Sequence, residues 1–370
     1  MAVITYKCPN CGGELKFDPE TQKYKCPYCL SVLSQEEADA AAGNGSFSGN
    51  GEKSDQAFQN AQTEDADSFE YREDAAQEGR EEAVLFTCPS CGAELVTDDT
   101  TAATFCYYCH NPVVLSGRLS GDYLPDKIIP FQLTKEKARE DFLSFVRKRK
   151  FTPSAFFSGN QIEKLSGVYY PYWVCRASGH GSLRAEGTKV RVWITGKVEY
   201  TETKVYEVER EGDFSMEELP KSALSKADHQ LSQGVWPYDL AGCQTFRMSY
   251  LSGFLAEKRD LERTDFQAEF DREIQEFGKN AMRESVEGYS TVAVHDSQVE
   301  DVKQDWDYVL LPVWALTYKG KNGKTYYYAM NGQNGKFAGA LPVDAGKLAA
   351  LFFAVALPVL VLCLIGGYLL

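Results

Sequence analysis

Hydrophobic and polar positions alternate along residues 189–210. Val190, Val192 and Ile194 stand two positions apart, charged residues lie among the positions between them, and the alternation resumes after residue 198. In a β-strand every second side chain points to the same face, whereas an α-helix repeats every three or four residues. The pattern therefore predicts an antiparallel sheet with one face exposed to solvent.

Two other stretches have the period of an amphipathic helix. Thr134 can cap a helix that runs to Lys150, and Thr264 can cap a second one. The apolar positions that recur at three and four are Phe142, Leu143 and Val146 in the first helix, and Phe266, Phe270, Ile274, Phe277 and Ala281 in the second. Residues 308–318 and 325–330 predict a β-hairpin that turns at the Gly-Lys-Asn-Gly sequence of residues 320–323. Together these patterns predict an α+β domain with an antiparallel sheet over residues 118–343.

The last 23 residues, 348–370, carry no charged side chain. As an α-helix they would span about 35 Å, which exceeds a hydrocarbon core of about 30 Å. Pro358 lies near the middle and predicts a kink. A buried C-terminal helix is the alternative, but such helices are usually shorter. We therefore predict a transmembrane helix that anchors the C-terminal end, with the bulk of the chain on the cytoplasmic side.

Residues 35–84 differ in composition from the rest of the chain. They hold fourteen acidic and three basic residues, a net charge of -11 out of -14 for the whole chain. The segment is rich in small and polar residues and has few apolar ones, so it cannot bury enough surface to offset its ordering entropy. We predict a disordered acidic linker here.

Eight of the eleven cysteines form four Cys-x-x-Cys pairs. These are Cys8, Cys11, Cys26 and Cys29, followed eighty positions later by Cys88, Cys91, Cys106 and Cys109. The flanking residues repeat as well, because Cys-Pro-Asn-Cys-Gly-Gly-Glu-Leu at position 8 matches Cys-Pro-Ser-Cys-Gly-Ala-Glu-Leu at position 88. The chain thus contains two copies of one module. Its start has no apolar secretory segment, so we expect a reducing compartment in which such pairs bind metal.

This spacing predicts two zinc ribbons, in residues 1–34 and 85–117. Each would place four thiolates around one Zn²⁺, and four protein ligands leave no position open for water or substrate. The Cys26-Pro27-Tyr28-Cys29 pair also resembles the redox pair of glutaredoxins, but about thirty residues cannot hold the βαβ frame that such a pair needs. We therefore predict two structural zinc sites, which modules this small require for folding.

The charge distribution disfavours nucleic acid as a partner. Residues 5–34 carry a net charge of +1, and residues 85–116 contain no Lys or Arg, whereas phosphate binding relies on clustered basic residues. One basic cluster exists, the Arg-Lys-Arg-Lys sequence of residues 147–150. Helix-dipole compensation, contact with anionic lipid, and contact with an acidic partner all remain open for it.

Known catalytic motifs are missing from the sequence. It contains no G-x-G-x-x-G and no G-x-S-x-G, and residues 320–325 lack the first glycine of a phosphate loop because position 318 is Tyr. The four histidines have no metal-ligand spacing, and Cys175 and Cys243 are predicted to be core residues. We expect that the protein is not an enzyme.

The chain resembles a family of bacterial proteins with ribbons like that of transcription factor IIB and a C-terminal membrane anchor. The cysteine quartets carry the resemblance, together with Lys127-Ile-Ile-Pro-Phe131, Leu311-Pro-Val-Trp314 and Tyr328-Ala-Met-Asn-Gly-Gln-Asn-Gly-Lys336. It covers nearly the whole chain and implies zinc ribbons held at a membrane. Members often carry labels such as primosomal helicase or DNA-binding protein, but this chain lacks a phosphate loop and is too short for a helicase motor.

These observations favour a non-catalytic, membrane-anchored adaptor or scaffold whose ribbons dock a cytoplasmic protein or the α+β domain itself. The alternative is a nucleic-acid-associated protein of transcription or replication. Zinc is the expected cofactor, and the bilayer is the expected partner of residues 348–370.

Overall fold

The structure, a computed structural model, describes residues 4–41, 84–106, 109, 111–149, 151–153, 165–319, 325–339 and 343–369. Within these residues the strands are β1 (Lys16–Asp18), β2 (Lys23–Lys25), β3 (Val32–Leu33), β4 (Val84–Thr87), β5 (Glu94–Thr97), β6 (Thr101–Phe105), β7 (Pro112–Val114), β8 (Lys127–Ile128), β9 (Ser166–Thr195), β10 (Val198–Ser222), β11 (Gln244–Thr245), β12 (Leu255–Glu257), β13 (Thr291–Lys319), β14 (Thr325–Asn331) and β15 (Phe337–Gly339). The α-helices are α1 (Gln35–Ala41), α2 (Lys135–Arg147), α3 (His229–Gly234), α4 (Gln267–Glu284) and α5 (Ala345–Leu369).

A ten-stranded mixed sheet forms the centre of the α+β domain. Its path is β11-β8-β13-β9-β12-β6-β7, with β10 on β9 and β14 and β15 beyond β13. Most neighbouring strands are antiparallel, but β12 with β9 and β13 with β8 are parallel. The predicted α+β class with an antiparallel sheet is confirmed, and so is the hairpin, because β13 pairs with β14 from Val313↔Asn331 to Lys319↔Thr325.

Three strands are far longer than the others. β9 has 30 residues, β10 has 25 and β13 has 29, and at about 3.3 Å per residue β9 is roughly 100 Å long. We call residues 176–195 of β9, together with the parts of β10 and β13 that pair with them, the β-arm, and residues 188–205 its tip. β9 is the central strand of the arm, pairing with β10 on one edge and β13 on the other.

The antiparallel pairing predicted for residues 189–210 is present, but of the alternating apolar side chains in this range only Val208 is buried, at 2% exposed. Val190 is 45% exposed, Val192 52% and Ile194 71%. The alternation at Val190, Val192 and Ile194 therefore belongs to a solvent-exposed pair of strands rather than to one face of a hydrophobic core. The physical reason is length, because the strands extend past the helix that covers the lower part of the arm.

Helix α4 covers one face of the lower β-arm. Phe270, Ile274 and Met282 are buried there, and Gly278 allows close packing, since a Cβ at that position would lie 2.7 Å from side-chain atoms of both Phe214 and Val299. The predicted cap at Thr264 is wrong.

The chain enters α4 through the 3₁₀ turn Arg263–Phe266. This turn starts one residue before Thr264. The N–H of the residue that precedes the turn, Glu262, donates to the Asp265 carboxylate at 2.7 Å. The capping interaction therefore uses acidic side chains rather than the Thr264 hydroxyl.

Helix α2 begins where the sequence predicts. The Thr134 hydroxyl accepts a hydrogen bond from the Lys137 N–H at 3.2 Å, which satisfies one of the free N–H groups of the first turn. Phe142 and Val146 are buried on the predicted face. The helix ends at Arg147 rather than at residue 150, which lies outside the described residues.

The start of the predicted disordered linker is a helix instead. The Ser34 hydroxyl accepts from the Glu37 N–H, and the Glu37 carboxylate accepts from the Ser34 N–H, a capping box that begins α1. Ala38 is fully buried, and Asp39 forms an ion pair with Arg247 at 3.1 Å. Residues 35–41 are therefore ordered by tertiary contacts that composition does not reveal. The rest of the predicted linker, up to residue 83, lies outside the described residues.

The C-terminal helix α5 is long and apolar enough to cross a membrane. Its segment Ala345–Leu362 has a mean hydropathy of 2.2, with none of it buried in the protein. The helix begins three residues before the predicted span and continues through Pro358. The lack of any buried residue in Ala345–Leu362 argues against a core helix.

Candidate metal centres

The first cysteine quartet sits on two matching turns. The Cys8 carbonyl accepts from the Gly12 N–H and the Cys26 carbonyl from the Leu30 N–H, at 2.8 and 3.0 Å. The residue four positions after the first cysteine has a left-handed backbone in both turns, with φ of 72° at Gly12 and 62° at Leu30. This conformation is free for glycine but strained for leucine. The short sheet β1-β2-β3 holds the two turns side by side.

The four sulfurs of this quartet converge on one point. The Sγ atoms of Cys8 and Cys29 are 3.6 Å apart, and those of Cys11 and Cys26 are 3.5 Å apart. The Cys29 sulfur also lies 3.1 Å from the Ser31 hydroxyl. Hydrogen bonds from the Ser31 side chain and backbone lower the pKa of the Cys29 thiol to about 6.

The second quartet repeats this arrangement. The Sγ distances are 3.7 Å for Cys88 and Cys109 and 3.6 Å for Cys91 and Cys106. The Cys88 carbonyl accepts from the Gly92 N–H at 2.9 Å, and Gly92 has a φ of 73°. The internal repeat therefore extends from sequence to geometry.

The spacing of the sulfurs fits a tetrahedral ion rather than disulfides. All eight cysteines are free, and within each quartet the ligand atoms lie within 4.8 Å of one another. A disulfide would bring two sulfurs to about 2.05 Å. Four sulfurs about 2.3 Å from a tetrahedral ion stand about 3.8 Å apart, close to the distances found here. The predicted Cys₄ clusters are thus confirmed as two sites able to hold metal ions.

Cys175 and Cys243 belong to the protein core or its edge. Cys175 is fully buried, and burial and then the nearby Asp305 raise the pKa of its thiol to about 11. Cys243 is half-buried, and burial likewise raises its thiol pKa to about 11. Burial and a raised thiol pKa match the predicted role of both as core residues.

The first metal module is built into the α+β domain. The Ser252 hydroxyl donates to the Leu15 carbonyl at 2.6 Å, and the Phe17 N–H donates to the Ser252 carbonyl at 3.0 Å. The Phe17 ring packs edge-on against Tyr24 of its own module and Tyr250 of the domain, with ring centroids 5.5 and 5.4 Å apart. The core of the module is therefore continuous with the core of the domain.

The two metal modules also contact each other. The backbones of Ile4 and Val114 exchange two hydrogen bonds, at 2.9 and 3.2 Å. The Ser90 hydroxyl donates to the Glu14 carboxylate at 2.5 Å. Burial raises the pKa of Glu14, and the hydrogen bond from Ser90 opposes that shift. Strand β6 of the second module in turn pairs with β12 of the domain, so both modules are fixed to one body.

The loop that follows β14 has a structural role that the sequence analysis did not assign. Asn331 is fully buried, and its side-chain amide donates to the carbonyls of Val235 and Pro237 at 2.9 and 3.1 Å. Its side-chain oxygen accepts from the N–H groups of Gln333 and Asn334. The Asn-Gly-Gln-Asn-Gly turn after β14 therefore fastens the segment before β11 to the sheet. The only sequence signal was the density of Asn and Gly, which is typical of turns.

The sequence is similar to that of the uncharacterized protein YdjG of Bacillus subtilis (strain 168). The two are 29% identical over 354 residues, which cover 96% of this chain and 94% of that protein. No family model matches the chain, and no solved structure matches it. The resemblance to membrane-anchored zinc-ribbon proteins therefore stays a prediction beyond the Cys₄ clusters.

Proposed function

We propose that this protein is a non-catalytic, membrane-anchored adaptor that presents the tip of its β-arm to a cytoplasmic protein partner. Helix α5 holds it in the bilayer, and the two Cys₄ sites each bind a structural Zn²⁺. The observation that carries the proposal is the exposed apolar surface at the arm tip.

Zinc is the metal that suits these sites best. Four thiolates at tetrahedral spacing are the ligand set of structural zinc, which has no geometric preference of its own. The residues that would hold the ions are Cys8, Cys11, Cys26, Cys29, Cys88, Cys91, Cys106 and Cys109. With all four positions taken by protein, the ions would stabilise the fold and leave no site for a substrate. This supports a role without catalysis.

The first face of the arm tip is lined by β-branched side chains. Val190 pairs across the strands with Thr203, and Val192 pairs with Thr201. Ile194 is 71% exposed and Val205 58%. A contiguous exposed apolar patch on a folded protein usually marks a binding surface. At the end of an arm, such a surface can reach a partner some distance from the membrane.

Photo-crosslinking in membranes tests this proposal. A photoreactive residue placed at Val192 should give a discrete adduct with another protein, whereas the same residue at Glu276, on the exposed side of α4, should not. Ile194→Lys should weaken the Val192 adduct, because a charge would have to be desolvated in the interface. Metal content and membrane fractionation should be unchanged in these variants. A lost adduct could then not be explained by misfolding or by release from the membrane.

Two results would contradict the adaptor role. One is the absence of an adduct at Val192, or the same adducts at Val192 and Glu276. The other is an adduct with twice the mass of this chain, which would mean that Val192 contacts a second copy of the chain rather than a different protein.

A nucleic-acid role is the second candidate, and the opposite face of the tip favours it. Trp193 and Tyr200 stack with ring centroids 5.6 Å apart, and the Arg191 guanidinium lies 5.6 Å from the Trp193 ring. Exposed aromatic rings beside cations can stack on bases. The tip carries a net charge of only +2, however, from four basic and two acidic residues, and Lys204 pairs with Glu202 at 3.3 Å.

Fluorescence anisotropy of the full chain in detergent with single-stranded DNA and RNA distinguishes the two candidates. The adaptor proposal predicts no binding even at low salt. Binding that is lost in Trp193→Ala and that weakens steeply with salt would favour the nucleic-acid role.

A further inference from the structure

The basic end of α2 lies beside the start of the membrane helix, although nearly two hundred residues separate them. The Phe151 carbonyl accepts from the Asp344 N–H at 2.7 Å. The Thr152 carbonyl accepts from the Lys347 side chain at 2.7 Å, across 195 positions of sequence. Thr152 is only 2% exposed, so this junction is packed rather than a passing surface contact.

Three cations precede this junction, and all of them face solvent. Arg147, Lys148 and Arg149 are exposed. The Arg149 guanidinium lies 5.2 Å from the Phe145 ring, which orients it without neutralising it. Within the part of the chain that the structure describes, none of the three forms an ion pair with a carboxylate. Compensation of the α2 dipole accounts for a cation in the last turn, but not for three successive unpaired ones.

We propose that Arg147, Lys148 and Arg149, with Lys347, bind the headgroups of anionic phospholipids. This inference rests on the proposed anchoring of α5 in a bilayer. The junction would then lie at the level of the headgroups, within the Debye length of about 8 Å over which the surface charge acts at physiological salt. Arginine forms paired hydrogen bonds with phosphate, and lysine adds a compact charge.

The charge near the anchor also bears on orientation. The Asp344 carboxylate accepts from the Lys347 N–H, and this one acidic group and the four cations together carry a net charge of +3. Sequence alone places a single cation, Lys347, next to the span. The fold adds three more at the same end of the helix, where the negative surface potential of the cytoplasmic leaflet would attract them. This attraction favours an orientation with the body of the protein on the cytoplasmic side.

Native mass spectrometry of the detergent-solubilised full chain tests the site. Phosphatidylglycerol and phosphatidylcholine are supplied in equal amounts, and the lipids retained per chain are counted. The wild type should prefer phosphatidylglycerol, and this preference should fall as the salt concentration rises. At about fivefold per basic side chain, replacing all three by glutamine should reduce the preference on the order of a hundredfold.

A matched variant with Lys189→Gln, Arg191→Gln and Lys204→Gln removes the same charge at the far end of the β-arm. It should keep the wild-type preference. Equal retention of phosphatidylglycerol by the Arg147, Lys148 and Arg149 variant and the wild type would overturn the inference, and so would an equal loss in the arm variant.

Failure of the anchor itself is distinguished by alkaline extraction of membranes. Release of the wild-type chain would refute the anchor. Retention of the wild type and the triple variant alike, combined with no lipid preference, would refute only the headgroup site.

Discussion

The Ser90 hydroxyl donates a hydrogen bond of 2.5 Å to the Glu14 carboxylate, across 76 positions of sequence and between the two copies of the metal module. Glu14 is only 6% exposed, and its second carboxylate oxygen is buried with no hydrogen-bond partner among the described residues. The same glutamate position in the second copy is Glu94. One member of the repeat has therefore been recruited to join the copies.

Ser90→Ala should destabilise the protein through this contact. Removal of the donor leaves a buried acceptor unsatisfied, which costs about 1–3 kcal/mol. Chemical denaturation of the zinc-loaded protein measures the change in the free energy of unfolding. Ser120→Ala is the control, because Ser120 is exposed and its hydroxyl bonds only within its own loop, to the Gly117 carbonyl. Equal stability of the two variants would show that the modules do not depend on this bond.

Replacement of Cys26 and Cys29 by serine should lower the zinc content from two ions per chain to one. The midpoint of thermal unfolding should fall for the α+β domain as well as for the first module, because their cores are continuous. Elemental analysis gives the zinc content, and the fluorescence of the five tryptophans, all of which lie in residues 118–343, reports on the domain. Cys243→Ser removes a thiol outside both quartets and should keep two ions. An unchanged domain transition in the double variant would mean that the module folds independently.

Phe17→Ala should cost about 3–5 kcal/mol, the usual range for loss of a buried phenyl ring. Phe17 is 4% exposed and contacts both the module core and Tyr250. The zinc content should stay at two, since Phe17 is not one of the metal-binding residues. Val32→Ala, in the same module but at a position that is 53% exposed, should change stability by less than about 0.5 kcal/mol. Similar losses in the two variants would contradict a docked module.

Much of the architecture could be predicted because it depends on local signals. Cys-x-x-Cys spacing specifies a turn and a ligand pair, and the Thr134 cap depends on its own helix. The uncharged C-terminal run likewise needs only its length. The grouping of all eight cysteines into two clusters could therefore be predicted from spacing alone.

What escaped prediction depends on contacts between distant segments. Composition predicts disorder for residues 35–41, which form a helix. Their partners, Arg247 and Tyr250, lie more than two hundred positions away and leave no local signal. The alternation at Val190, Val192 and Ile194 specifies a strand but not what covers it. The contacts of Phe151 and Thr152 with the start of α5 likewise follow from the tertiary fold and from no local pattern.

His180, on the solvent face of the β-arm, should titrate above its ordinary range. Its Nδ1 lies 2.9 Å from the Asp213 carboxylate and its Nε2 lies 3.2 Å from that of Glu211, and Glu300 stands opposite on β13. Hydrogen bonds to Asp213 and then Glu211 raise the pKa of the imidazole. A histidine with a raised pKa in the folded state stabilises the fold fully below its unfolded pKa of about 6.5, and this contribution is lost as the pH rises through the folded value.

The ring is exposed, so its protonation rather than global stability is the sensitive measurement, and NMR of the imidazole gives it directly. Asp213→Asn should lower the pKa of His180, while Asp296→Asn, on the same arm, should shift it less. A pKa of His180 that Asp213→Asn leaves unchanged would mean that the two strands do not hold this pair together in solution.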